Sequence, residues 1–164
     1  MLRSAQVDWT RVQRFRAGVV LRSVDGGTFL LGVDAVYGEL TDFGGRYEPT
    51  DGDIVNTALR ELYEESLGLI DITRDQLIGD GRGIVALSCD GAVFLYDTQL
   101  KPSIIVQLYR RRRAFATHPE VDRIECFDSS ALLLQIEQKR VYARTAPLVR
   151  ALVEHVTSVA SSIL

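Results

Sequence analysis

The chain of 164 residues is 46% hydrophobic and 25% charged, and it has a net charge of -3. This composition is typical of one soluble globular domain, which we predict to span residues 1–164. The net negative charge excludes a general attraction to nucleic acid or anionic membranes. No apolar run approaches the roughly 18 residues of a membrane-spanning helix, and the N-terminus lacks a signal-peptide core. We therefore expect a soluble, cytoplasmic protein with no membrane partner.

The first part of the chain predicts a β-hairpin. Residues 14–23 and 28–33 are rich in apolar and β-branched residues, and Asp25-Gly26-Gly27 lies between them as a turn. Ahead of the hairpin, residues 1–13 are predicted to form an arm or short helix. Trp9 there either anchors the segment to the domain surface, which we favour, or offers a stacking surface to a base.

The next segment predicts a loop, a short strand and a helix of about residues 54–67, with Asp51 or Asp53 as the N-cap. Apolar and small residues recur at helical spacing and predict its buried face: Val55, Ala58, Leu59, Leu62 and Ser66.

Three acids, Glu61, Glu64 and Glu65, lie close together on the remaining surface of this helix. Like charges at these spacings destabilise an isolated helix by roughly 0.2–0.5 kcal/mol per pair, so the cluster predicts a cation between them. Oxygen ligands suit Mg²⁺ or Mn²⁺. A solvated acidic face is the alternative.

Residues 42–69 resemble the Nudix hydrolase motif, G-x5-E-x7-R-E-U-x-E-E-x-G-U, in which U is aliphatic. Gly44-Gly45 matches the first glycine, Arg60-Glu61-Leu62 matches R-E-U, Glu64-Glu65 matches the paired acids, and Gly68-Leu69 matches the end.

The chain departs from this motif twice. One extra residue separates Gly45 from Arg60, so either Asp51 or Asp53 replaces the isolated Glu of the motif. Two residues, instead of one, separate the paired acids from Gly68.

The resemblance implies an α+β fold, an α/β/α sandwich with a mixed β-sheet between helices. It also implies hydrolysis of a pyrophosphate bond in a nucleoside diphosphate linked to another group, with Mg²⁺ or Mn²⁺ as the cofactor. The implied metal ligands are Glu61 and Glu65, followed by Glu64 and the backbone carbonyl of Gly45.

Three residues are catalytic candidates. Glu64 belongs to the motif, and Glu120 stands before a late predicted strand, where the family often places a general base or a further ligand. Arg60 is expected to bind Asp51 or Asp53 and so hold the glycine loop against the helix.

The later chain predicts a second hairpin of residues 83–89 and 92–96 around Asp90-Gly91. We further predict strands at residues 103–109 and 120–127, a helix at residues 131–137 capped by Asp128 or Ser129, and an amphipathic helix at residues 145–163. The cysteines, Cys89 and Cys126, are too few for a disulfide framework and are predicted to be buried and reduced.

The substrate is left open by the sequence. We expect a small nucleotide, with Arg46, Arg110 and Arg112 as substrate-binding candidates. Capped RNA is the alternative, because residues 37–45 are loosely similar to Nudix proteins of large DNA viruses, some of which remove mRNA caps, and Arg110 to Arg113 are able to contact RNA phosphates. A non-catalytic nucleotide-binding or protein-binding module is the alternative of another class. The oligomeric state is open, a dimer included.

Overall fold

A mixed β-sheet between two helical layers organises the chain. The computed structural model describes residues 2–3, 7–9, 12, 15–79, 83–89 and 91–161. Within these residues, eight strands form one sheet: β1 Leu2–Arg3, β2 Arg16–Ser23, β3 Phe29–Asp34, β4 Leu40–Thr41, β5 Phe43–Arg46, β6 Ile84–Ser88, β7 Gly91–Thr98 and β8 Val121–Phe127. The helices are α1 Ile54–Glu65, α2 Arg74–Ile78, α3 Pro102–Arg113, α4 Ser129–Glu137 and α5 Ala146–Ser161. This is the α/β/α arrangement that the resemblance implies.

Strand β2 lies at the centre of the sheet and changes its partner along its length. It pairs with β7 in parallel on one side. On the other side, its first half pairs with β5 and its second half with β3, both antiparallel. Helix α1 packs on β2 and β5, so its acids lie over the part of the sheet that carries Gly44-Gly45.

Two apolar cores lie on the two faces of the sheet. Alternating residues of β2 divide between them, because successive side chains of a strand point to opposite faces. Val19 and Leu21 pack with α1, α2 and α3, whereas Val20 packs with α4 and α5. All three side chains are fully buried, which fixes the position of β2 between the layers.

The predicted helix in the motif region is confirmed as α1. Its N-cap is Asp53, whose carboxylate accepts hydrogen bonds from the N–H groups of Val55 and Asn56. The predicted buried face is also correct apart from Leu59, which is half-buried.

Both predicted hairpins are present, as are helix α5 and helix α4 with its predicted cap, Asp128. Arg14, Asp90 and the last predicted residues of α5 lie outside the described residues.

The predicted strand at residues 103–109 is wrong, because this segment belongs to helix α3. Pro102 stands in the first turn, where a helix needs no N–H from it. Ile105 and Tyr109, one turn apart, are buried, and the Tyr109 hydroxyl donates a hydrogen bond of 2.7 Å to the Val121 carbonyl. Packing of this face outweighs the strand preference of the β-branched residues in the segment.

The N-terminal segment contacts the domain through the ring of Trp9. The ring of Trp9 packs on that of Phe94, with centroids 5.3 Å apart, so Trp9 is an anchor as predicted.

Cys89 and Cys126 are free but exposed, so the predicted burial of both cysteines is wrong. Cys89 follows the end of β6, and Cys126 is the second-last residue of β8. Among the described helices, none has both the length and the apolar character needed to cross a membrane.

Candidate functional site

Two acids of α1 are buried against the glycines of β5. Glu61 is 7% exposed and Glu65 8% exposed. The N–H of Gly44 donates a hydrogen bond of 2.7 Å to Glu65 Oε2. The Glu61 carboxylate lies so close to Gly45 that a Cβ there would overlap its Oε1 atom. Gly45 therefore leaves the space that the Glu61 carboxylate occupies, whereas a Cβ at Gly44 would overlap the backbone of Ala17 and Gly18 in β2.

Arg60 braces the loop before α1, as the sequence predicts. Its Nε and Nη2 atoms donate to the two carboxylate oxygens of Asp51, at 2.9 and 3.1 Å. Nη2 also donates to the Arg46 carbonyl at 2.8 Å, which ties the end of β5 to the helix. Of the two candidate acids, Asp51 thus binds Arg60, while Asp53 caps α1. Burial opposes ionisation of Asp51, but hydrogen bonds led by that of Arg60 outweigh it and lower the pKa of Asp51.

Arg60 also contacts two of the predicted metal ligands. Its Nη1 atom donates to Glu61 Oε1 at 2.8 Å and to Glu64 Oε2 at 3.1 Å. The side chain of Glu64 is 56% exposed, so this acid lies at the solvent edge of the group. The three acids that the sequence places together are therefore near one another, with a guanidinium between two of them.

A buried ion pair that the sequence analysis missed lies beneath this group. Arg16 binds Asp42 through two hydrogen bonds, Nη1 to Oδ2 at 2.7 Å and Nη2 to Oδ1 at 2.9 Å. Nη2 also donates to the Gly44 carbonyl at 2.8 Å. Asp42 is fully buried, and a Cβ on Gly18 would overlap its Oδ2 atom, so Gly18 leaves the space that this carboxylate occupies. Through this last hydrogen bond, the ion pair fixes the backbone of Gly44, the residue before Gly45.

Burial and crowding of negative charge raise the pKa values of the two buried acids. The pKa of Glu65 lies well above its ordinary value, because of burial first and then the charges of Asp42 and Glu61. Burial also raises the pKa of Glu61, and the charges of Glu64 and Glu120 add to it, although Arg60 opposes the shift. A cation between these carboxylates would relieve their repulsion.

We expect the metal-free protein to lose stability as the pH rises from about 4.5, the ordinary pKa of a glutamate. A raised pKa in the folded state means that the proton on Glu65 stabilises the fold, and this contribution disappears as the pH passes through the folded-state pKa. Chemical unfolding in a chelator from pH 4.5 upward measures the slope. It should be flatter for Glu65→Gln, and equal slopes for both proteins would contradict the prediction. Asp51 and Asp53, with lowered pKa values, act in the opposite direction and at lower pH.

Glu120 faces the same site from another part of the chain. It directly precedes β8 and lines a cavity of about 240 Å³ together with Glu65. Two more acids, Asp34 and Glu39, line this acidic cavity, as do Arg16 and Tyr142. The structure thus brings Glu120 and Glu65 to one cavity, together with two acids that the sequence analysis did not select.

A second cavity, of about 580 Å³, lies beside Gly45. We call it the basic cavity, because the polar groups that line it include three arginines. Its lining residues other than Gly45 are Phe15, Arg16, Arg46, Tyr47, Tyr142 and Arg144. Arg46, a predicted substrate-binding residue, therefore lies next to the site.

The other two predicted substrate-binding residues lie elsewhere. Arg110 and Arg112 belong to the last turn of α3 and line neither the acidic nor the basic cavity. Arg112 Nη1 donates a hydrogen bond of 2.7 Å to the Leu67 carbonyl, just beyond α1. Arg113 pairs with Asp122 at 3.3 Å. The arginine run thus complements the negative end of the α3 dipole and joins α3 to its neighbours.

The donor chemistry of the site fits a hard divalent cation. Within the described residues, no three His, Cys, Asp or Glu side chains converge as a complete metal-binding group, and Arg60 occupies the space between Glu61 and Glu64. Glu61 and Glu65 are nevertheless oxygen donors whose burial and mutual repulsion favour a positive partner. These two are the residues best suited to hold Mg²⁺ or Mn²⁺.

Comparison with solved structures identifies the fold class as Nudix-like. The chain matches an Ap4A hydrolase of C. elegans, solved as a binary complex, with a TM-score of 0.50 and 18% identity over 92% of this chain and 99% of that one. A Nudix family hydrolase from Clostridium perfringens matches with a TM-score of 0.44 and 10% identity, over 87% of this chain and 97% of that one. No protein-family model and no curated protein matches the sequence.

Proposed function

We propose that the protein hydrolyses a pyrophosphate bond in a nucleoside diphosphate linked to another group, with the help of Mg²⁺ or Mn²⁺. The observation that carries this proposal is the placement of Glu61 and Glu65, buried and crowded with negative charge, against Gly44-Gly45 on a Nudix-like fold. Burial and neighbouring carboxylates oppose ionisation of both acids, and only for Glu61 does a directly bonded arginine, Arg60, offset this, so a bound cation would favour the ionised form of both.

A bound divalent cation would neutralise the pyrophosphate and favour ionisation of the attacking water. Glu61 and Glu65 would hold it, with Glu64 and the Gly45 carbonyl as further donors. Arg60 and Arg16 keep these groups in place by fixing the backbone on either side of Gly45. Such positioning matters because a misplaced reacting group costs much of the rate.

Glu120 is our candidate for the general base. It lines the acidic cavity together with Glu65 of α1. In the reaction, a water oxygen forms a bond to one phosphorus while the bridging oxygen leaves with the other phosphate, and Glu120 accepts the proton that the water loses. Glu64, which is more exposed and bonded to Arg60, is the other candidate for this role.

A substrate screen tests the proposal. Purified protein would be incubated with nucleoside diphosphate sugars, dinucleoside polyphosphates and a capped RNA, each with Mg²⁺, with Mn²⁺ and with a chelator. We expect metal-dependent release of a nucleoside phosphate from at least one small nucleotide. Nucleotide binding without any metal-dependent product would instead support a non-catalytic binding module.

Capped RNA is included in the screen as an alternative and is not our proposed substrate. The alternative rests on the loose viral similarity and on Arg110 to Arg113 as an extended phosphate-binding segment, but these arginines form the last turn of a helix. Arg112 and Arg113 are engaged with Leu67 and Asp122. The observation that favoured RNA is therefore weaker than the sequence suggested.

A further inference from the structure

The end of helix α3, residues 109–113, is bonded to two segments of the chain that each follow an acid of the site. Glu65 is the last residue of α1, and Glu120 directly precedes β8. Both line the acidic cavity, although they come from distant parts of the chain. One hydrogen bond from α3 reaches the chain just after each acid. The position of α3 therefore affects the position of both acids.

Arg112 binds the turn that follows α1. Its Nη1 atom donates a hydrogen bond of 2.7 Å to the carbonyl of Leu67, two residues after Glu65. Leu67 has a φ of 56°, in the left-handed region that is strained for a leucine. The turn is tied to α1, because the N–H of Gly68 donates to the Tyr63 carbonyl at 2.7 Å. It also contains the extra residue by which this chain departs from the motif. Arg112 thus holds a strained turn directly after Glu65.

Tyr109 binds the segment that carries Glu120. Its side chain is buried, and its hydroxyl donates a hydrogen bond of 2.7 Å to the carbonyl of Val121, the residue after Glu120. Arg113 and Asp122 add an ion pair of 3.3 Å between the same two segments. Burial raises the pKa of Tyr109 to about 12. The hydroxyl therefore keeps its proton, and with it this hydrogen bond, throughout the neutral pH range.

We propose that the end of α3 sets the separation between Glu65 and Glu120. Arg112 and Tyr109 are then positioning residues, one for each acid. This inference rests on the proposed function, in which Glu65 holds the cation and Glu120 accepts the proton of the attacking water. Ile105 and Tyr109 are buried in the core and anchor α3, so both hydrogen bonds start from one fixed element. A misplacement of about 1 Å between reacting groups costs up to about a hundredfold in rate.

Binding of Mn²⁺ tests the contact made by Arg112. Electron paramagnetic resonance would measure free Mn²⁺ during titration of wild type, Arg112→Met and Arg110→Met. Arg110 is a matched control, because it is exposed in the same helical turn and lines neither cavity. We expect the Kd for Mn²⁺ to rise about tenfold in Arg112→Met, as for residues that orient metal ligands, and to stay unchanged in Arg110→Met. Loss of positive charge alone would strengthen cation binding, so weaker binding reports a displaced ligand. Equal Kd values in both variants would overturn the role of Arg112.

Kinetics test the contact made by Tyr109. In Tyr109→Phe, kcat on the substrate found by the screen should fall about tenfold at saturating Mn²⁺. KM and the Kd for Mn²⁺ should stay unchanged, because only the segment of Glu120 loses its hydrogen bond. Ile136→Val, in the core on the opposite face of the sheet, is a control for lost stability and should keep the wild-type kcat. The role of Tyr109 is refuted if the two variants have equal kcat values.

The two measurements also separate this inference from the proposed function. If wild type cleaves a nucleotide and both Arg112→Met and Tyr109→Phe behave like their controls, the inference fails and the proposed function stands. If wild type binds Mn²⁺ but cleaves nothing in the screen, and Arg112→Met weakens that binding, the proposed function fails. The positioning of Glu65 by Arg112 stands in that case.

Discussion

Replacement of Glu61 or Glu65 by glutamine is expected to lower kcat by about two to three orders of magnitude while leaving the fold intact. The amide keeps the shape of the carboxylate but loses the charge that holds a cation, and interactions that stabilise transition-state charge have effects of this size. Steady-state kinetics at saturating Mg²⁺ on the substrate found by the screen provide the measurement. Glu137→Gln, an exposed acid at the end of α4, removes the same charge away from the site and should keep full activity.

Stability should change in the opposite direction in Glu65→Gln. Without a cation, the neutral amide relieves the repulsion from Asp42 and Glu61, and it still accepts the hydrogen bond from the Gly44 N–H. We expect the metal-free variant to gain about 1 kcal/mol at neutral pH, as relief of a strained functional group commonly gives. Excess Mg²⁺ should stabilise the wild type and not the variant. Full activity of both the Glu61 and Glu65 variants would refute the assigned metal site.

Asp42→Asn is expected to cost about 3–5 kcal/mol of stability, because it leaves Arg16 without its charged partner in a buried position. For a chain of this length, this corresponds to a fall of roughly 6–20 °C in Tm. Thermal and chemical unfolding measure the effect. The exposed pair of Arg22 and Asp97 has similar hydrogen-bond geometry, at 2.6 and 2.7 Å, so Asp97→Asn is a matched control that should cost less than about 1 kcal/mol.

A double variant tests whether the stability lost in Asp42→Asn comes from the unpaired charge of Arg16. Arg16→Met together with Asp42→Asn removes both charges, so no ion remains unpaired, and it should recover part of the stability lost in Asp42→Asn alone. An additive loss in the double variant would show that the two side chains act independently. In that case the pair would not be the element that fixes the backbone at Gly44.

Local signals in the sequence were enough to predict most of the helices and strands, whereas their layered arrangement was implied by the family resemblance. Both hairpins have turn residues between apolar strands, and α1, α4 and α5 have caps or sustained helical periodicity. Helix α2 was missed because its five residues are too few for a periodic pattern, although Thr73 and Gln76 form a capping box. In α3, the only local evidence for a helix was Pro102, and the β-branched residues after it favoured a strand.

The residues of the site likewise differ in whether neighbouring or distant parts of the chain determine their positions. Glu61, Glu65 and Arg60 were predictable because their spacing within one helix defines their directions. The pair of Arg16 and Asp42 depends on the register of β2 with β5, which local patterns do not contain. Its only sign in the sequence is an acid within a short apolar strand segment just before the glycines.

The basic cavity was not predictable for a related reason. Tyr142 and Arg144 come from the segment after α4, far along the chain from Phe15 and Tyr47. An isolated parallel bridge between Leu40 and Val141 brings this segment to the sheet at β4, which directly precedes β5. Only the assembled fold therefore shows that these aromatic and basic residues share one surface.

The parallel pairing of β2 with β7 affects the order in which the chain is able to fold. During synthesis, β2 can pair with β3 at once, but its other edge has no partner until Thr98 at the end of β7 has been made. Pairing over such a separation carries a large entropic cost of closing the intervening chain. An unpaired edge of a strongly apolar central strand invites association with other chains. We therefore expect aggregation to compete with folding mainly in the interval before β7 pairs with β2.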